Sequence, residues 1–248
     1  MYLLLMKIPF ALFLLFTSSS LVAKTTIELF VYFDKPPFIV DKKDRVGLSY
    51  DFAAALNQHS KTYHYVIVQM PKPRILTEDN IRSAVLWTNP AWVDDIPMKK
   101  YDWILDLIPE RELYITHDKN MNYQDISSLH NKTIATVRNY TYFNLEKLFK
   151  NNLAIRTNVH NEKAVALMLL YKRADIGVVG LQTFEYFKRT IPDINDNLKI
   201  LTGYNKAFQR SILISKSTPQ LKQDIEAWFN SAKGKSEWLT LKTKWLLH

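Results

Sequence analysis

The 248-residue chain carries 33 Lys and Arg against 24 Asp and Glu, a formal net charge of +9, with five glycines and no cysteine. Without cysteine the fold cannot rest on disulfides or thiolate-bound metal, and so few glycines leave neither a P-loop nor a dinucleotide fingerprint. The basic residues are scattered among acids rather than gathered in one run, which fits solubility and no nucleic-acid partner.

The first segment, Leu3 to Phe16, is nearly all apolar with Lys7 as its single charge, and Thr17 to Ser20 lead to Leu21, Val22 and Ala23. This pattern predicts a signal peptide, 1–23, and export to the periplasm; the run is too short for a membrane anchor. Met6, followed by Lys7, offers a second start. Beyond it, Ile27, Leu29, Val31 and Phe33 alternate as in a strand. Pro36 and Pro37 stop that strand, and Leu48, Phe52, Ala55 and Leu56 then repeat at helical spacing. Further strands are expected near Tyr63–Gln69, Ser83–Trp87, Leu113–Thr116, Thr133–Arg138, Ala154–Val159, Asp175–Val179, Lys199–Leu201 and Ser211–Ser215. Helical patterns cover Glu162–Tyr171 and Gln220–Phe229 and return with Trp238, Leu241 and Trp245. Strands alternating with helices predict an α/β fold with mainly parallel sheets flanked by helices.

Catalytic chemistry is hard to assemble from these residues. His59, His64, His117, His130, His160 and His248 show no metal-ligand spacing, and no Gly-x-Ser-x-Gly elbow occurs. The acidic pairs Glu78/Asp79, Asp94/Asp95 and Glu110/Glu112 read as solvated faces. No cofactor, no metal and no enzymatic activity are expected.

The segments Ile27 to Phe38 and Gly47 to Leu56 resemble the opening of the family 3 bacterial extracellular solute-binding proteins, the amino-acid-binding type among the binding proteins of ABC transporters. Ile126 to Val137 is similar to that family's entry into its second lobe, with Asn131 standing where glycine is usual. The resemblance implies a two-lobed type II periplasmic binding protein fold with a two-strand hinge. Arg111 to Lys119 would be the first crossing and Gly203 to Ser215 the second. Lobe 1 is then expected at 24–114 and 207–248, and lobe 2 at 115–206. The resemblance further implies a monomer that captures a small-molecule ligand by hinge closure and serves an inner-membrane ABC permease. Two alternatives accompany it: a periplasmic enzyme similar to the cyclohexadienyl dehydratases, with Asp34 or Asp94 as acid or base, and a stand-alone ligand sensor.

Three positions that hold an α-amino acid in the family are changed. Leu86 to Asp95 contains no carboxylate-gripping arginine, Gly180 stands at the place of the ammonium-binding aspartate, and Lys35 replaces the aromatic residue before the two prolines. The residues remaining at the implied cleft are Tyr32, Phe33, Lys35, Arg74, Trp87, Asn89 and Trp92 on one side. Arg138, Tyr140, Thr141, Tyr142 and Gln182 stand on the other. They suit a small polar organic solute, amino-acid-like or otherwise anionic or aromatic-faced. Several also have a plainer use: core packing for the tryptophans, an outward turn for one of Tyr140 and Tyr142, surface ion pairs for Arg74 and Arg138, solvation for Lys35, a helix N-cap for Thr141.

Overall fold

The computed structural model describes residues 23–77, 83–204 and 206–245. Of the predicted signal peptide only Ala23 is among them, and Glu78, Asp79 and His248 also lie outside. The strands are β1 Thr25–Val31, β2 Tyr63–Gln69, β3 Ala84–Thr88, β4 Asp102–Thr116, β5 Thr133–Val137, β6 Ile155–Val159, β7 Ile176–Gly180, β8 Lys199–Ile200 and β9 Lys206–Ile214. The helices are α1 Leu48–His59, α2 Lys72–Ile75, α3 Glu146–Lys150, α4 Glu162–Leu170, α5 Leu181–Thr190, α6 Pro192–Asn197, α7 Pro219–Asn230 and α8 Ala232–Trp245. None of the helices among the described residues is long and apolar enough to cross a membrane.

The strands form one sheet in the order β2-β1-β3-β9-β4-β7-β5-β6, with β8 pairing β4 off this path. Pairing is parallel within each outer trio, β2-β1-β3 and β7-β5-β6. It is antiparallel through the centre, where β9 pairs with β3 and β4 and β4 pairs with β7. Parallel pairs need helical crossovers, which the intervening helices provide on the faces of the sheet. The two central strands are therefore the ones that both trios share.

Each trio has its own packing. Ile27, Leu29 and Val31 of β1 bury one face against Leu48, Phe52 and Leu56 of α1 and against Trp228, Leu241 and Trp245 of the C-terminal helices. Phe30 points the other way, into a smaller cluster with Val85, Trp103 and Leu213. On the far side, Val165, Ala166 and Leu169 of α4 pack with Ala135, Val137, Val179 and Phe184, and Ile134, Ile176 and Val178 meet Tyr142, Leu145 and Leu148. Strand β4 passes between these environments. Trp103, Ile104 and Ile108 belong to the first pair of clusters, and Leu113, Tyr114 and Ile115 to the second.

Two irregularities mark the centre. The β4–β9 register shifts between Ile104 and Ile108, and the β3–β9 register shifts between Val85 and Thr88. Asp106 and Trp87, within these bulges, both have φ of 56°, a left-handed conformation uncommon outside glycine.

Candidate functional site

The two trios meet where their parallel strands end, and the meeting point is charged. After β1 the chain runs through Tyr32, Phe33, Asp34 and Lys35 to Pro36 and Pro37. The Lys35 ammonium crosses to Glu162, the first residue of α4, at 2.7 Å. The Lys35 and Glu162 side chains are only 7% and 5% exposed. Glu162 uses its other oxygen to accept the Gly180 N–H at 3.0 Å. A second contact lies beside the first: the Thr183 hydroxyl donates to the Pro36 carbonyl at 2.6 Å.

Beneath them the central strands contribute a second buried pair. Arg210 of β9 donates from Nε to Glu110 of β4 at 3.1 Å, with side chains 4% and 0% exposed, and from Nη1 to the Trp87 carbonyl at 3.0 Å. Its guanidinium lies 4.9 to 5.5 Å from the ring centres of Phe38, Trp92, Phe33 and Phe208. Such packing lets a weakly hydrated guanidinium be buried with its charge matched by one carboxylate and by ring faces. Glu110 also accepts the Gln182 and Arg111 backbone N–H groups at 3.1 and 3.2 Å. The two pairs touch at Gly180: a Cβ built there would lie 3.1 Å from Lys35 Nζ and 3.3 Å from a Glu110 oxygen. A side chain at 180 would press on both pairs, and glycine leaves the space to them.

Tyrosines border this cluster. Burial pushes the Tyr32 phenol up, although the Thr88 hydroxyl at 3.2 Å and Arg210 pull the other way. Burial, reinforced by Glu162, raises Tyr140 and Tyr142 as well. All three stay protonated at neutral pH and present O–H groups that can donate.

The predicted site residues divide accordingly. Lys35 and Phe33 are in the cluster, Tyr32, Tyr140 and Trp92 border it, and Gln182 reaches it through its backbone while its side chain donates to the Pro109 carbonyl. Tyr142 is buried, its hydroxyl accepting the Val137 N–H at 3.1 Å. Trp87 is fully buried, donates to Ser49 at 2.9 Å and stacks on Trp238 at 6.0 Å, while its carbonyl accepts from Arg210. Asn89 caps the 3-10 turn Pro90–Val93 and lines a surface depression of about 400 Å³ with Ile96, Met98 and Leu105. Arg74, Arg138 and Thr141 are exposed. Thr141 is not the N-cap of the helix that follows, a position held by Leu145.

Three members of the cluster, Glu110, Glu162 and Arg210, escape sequence reasoning. Glu110 belongs to an acidic pair expected to be solvated, and so does Asp95. Both are buried, at 1% and 0% exposure, so that expectation is corrected. The Asp94 side chain is fully exposed beside Lys100, and Asp34 is half exposed beside Lys42. Neither carboxylate suggested for acid–base chemistry is in the buried cluster.

No family model and no curated protein matches this sequence. Solved structures do. A mutant of ArgBP from T. maritima is 20% identical over 89% of this chain and 94% of its own, with a TM-score of 0.68. An ancestral arginine-binding protein bound to arginine is 15% identical over 90% of this chain and 98% of its own, at 0.69. An ancestral amino-acid-binding protein described as a precursor of cyclohexadienyl dehydratase is 17% identical over 90% of this chain and 96% of its own, at 0.64. The chain has the fold of the type II periplasmic binding proteins, as the resemblance of its opening loops implies. At these identities the likeness establishes fold and leaves ligand and partner to this chain's own residues.

Proposed function

We propose that the protein is a periplasmic solute-binding receptor that closes about a small polar organic solute and presents the closed form to an inner-membrane ABC permease. In this reading lobe 1 comprises 24–114 and 207–248, lobe 2 comprises 115–206, and β4 and β9 carry the hinge. The observation that supports it most is the pair of contacts made between strand ends of opposite lobes, Lys35 to Glu162 and Thr183 to Pro36. In open α/β sheets ligands bind outside the carboxyl ends of strands, and here two such edges face each other across shared strands. A solute touching both edges favours the closed state by its differential affinity for it. Phe33, Trp92, Tyr32 and Tyr140 offer aromatic faces and hydroxyls for an amino-acid-like, anionic or aromatic-faced solute.

A thermal-shift screen of amino acids, carboxylates, amines, oligopeptides and small sugars tests the reading. A solute at about a hundred times its dissociation constant adds roughly 2.7 kcal/mol, a shift of several degrees. Recovery of that solute unchanged supports the receptor; its consumption supports the dehydratase-like alternative instead. No shift from any solute in a broad panel would count against both.

A further inference from the structure

Both oxygens of Glu162 are taken by groups of the chain itself, one by the Lys35 ammonium and one by the Gly180 N–H. The lysine belongs to the opposite lobe. We propose that Glu162 and the Gly180 N–H form a seat for a primary ammonium group, and that Lys35 is its tethered occupant, latching the two lobes closed without solute. This deepens the receptor reading above and rests on its hinge motion.

Charge balance carries the inference. Glu110 is already compensated by Arg210, so Lys35 is the cation that matches Glu162. If Lys35 withdrew while the lobes stayed together, Glu162 would be left as a buried carboxylate without a counter-ion, a state far less favourable than the hydrated one. A cation in the seat, tethered or supplied from outside, therefore favours closure. Space carries the rest. The missing side chain at Gly180 is what admits the ammonium, since a Cβ there would lie 3.1 Å from Lys35 Nζ. A solute that brings its own ammonium group can take the seat from Lys35, while one without it must bind with the latch in place. Because the binding-competent open form is then only a fraction of the population, the latch weakens apparent affinity by that fraction.

The absence of native cysteine allows a clean distance measurement. Exposed Lys43 and Lys147, one on each lobe, are replaced by cysteine (Lys43→Cys, Lys147→Cys) and spin-labelled in the full chain. Without solute the parent pair should show one short-distance population, and Lys35→Ala should move it to longer distances. Adding n-propylammonium, which with alanine restores the atoms of the lysine side chain, should bring the short population back, whereas sodium chloride at equal concentration should not. Glu162→Gln, which keeps the shape and removes the charge, should shift the protein to the longer distances with or without n-propylammonium and decides the matter if Lys35→Ala fails to fold. A parent already at long distance, variants that keep the parent distribution, or an opened Lys35→Ala that ignores n-propylammonium would each overturn the latch. The solute screen is independent: a silent screen removes the receptor reading and leaves the distance result standing.

Discussion

Arg210 donates to Glu110 and to the Trp87 carbonyl while four aromatic rings close around its guanidinium, so removing it strands a carboxylate that has no access to water. Breaking a buried pair from one side costs about 3–5 kcal/mol, most of it the penalty on the partner left behind. Arg210→Met should therefore lower stability by roughly that amount in urea unfolding. Adding Glu110→Leu should recover much of the loss, because a pair replaced on both sides by apolar groups leaves no orphan charge. A double variant no more stable than the single one would mean that Glu110 is compensated by its backbone donors instead. The same residues show the limit of reading the sequence. Glu110 sits two positions from Glu112 amid Arg111, which looks like a charged surface, and nothing local reveals a counter-ion a hundred residues later on β9. Lys35 and Tyr32 were legible because they lie in the loop that carries the resemblance.

At the scale of elements, the short parallel strands were readable and the long central one was not. Strand β2 runs Tyr63–Gln69 as its alternation predicts, and β3, β5, β6 and β7 begin and end within a residue or so of expectation. Only the last four residues of β4 stood out, because Asp106, Pro109, Glu110 and Arg111 interrupt the apolar pattern upstream. Pro109 is tolerated since β7 pairs with β4 only from Glu112 onward, leaving that edge unpaired at the proline. The approach to β4 holds a further testable feature in Asp95. Its carboxylate accepts the N–H groups of Lys99, Lys100 and Tyr101 and the Trp103 indole, at 2.8 to 3.2 Å. Burial alone would raise its pKa, but the hydrogen bonds from Lys100, Trp103, Lys99 and Tyr101 outweigh burial and hold it below the usual carboxylate value. A depressed folded pKa gives stability that is full above the unfolded value of about 3.9 and is lost as pH falls through the folded one. Asp95→Asn keeps one acceptor oxygen and should cost about 1–3 kcal/mol near neutral pH. Its melting temperature should also fall less steeply in acid than the parent's, and parallel acid profiles would show that this carboxylate does not carry the dependence.

At the scale of the molecule, the question is whether two packed bodies on shared strands unfold as one. All six tryptophans, Trp87, Trp92, Trp103, Trp228, Trp238 and Trp245, fall in the proposed lobe 1, whereas 115–206 contains tyrosines and no tryptophan. Trp87, Trp228 and Trp245 are in the largest cluster of that lobe and Trp103 is in its second. Tryptophan fluorescence therefore reports lobe 1, while far-ultraviolet circular dichroism reports both lobes. Coincident transitions are the mark of a single cooperative unit, and chains with two domains commonly lack it. The parent should nevertheless give coincident curves, because β4 and β9 are common to both bodies and the buried Lys35–Glu162 pair joins the loop after β1 to the start of α4. Lys35→Ala removes the ion pair and keeps the shared strands and the Thr183–Pro36 hydrogen bond. The proposed lobe 2, neither of whose clusters is as large as the one around Phe52 and Trp228, should then unfold at lower urea, so that the dichroism curve falls before the fluorescence shifts. If the two curves still coincide in Lys35→Ala, the shared strands and the Thr183–Pro36 contact suffice to couple the lobes, and the Lys35–Glu162 pair contributes to closure without contributing to cooperative unfolding.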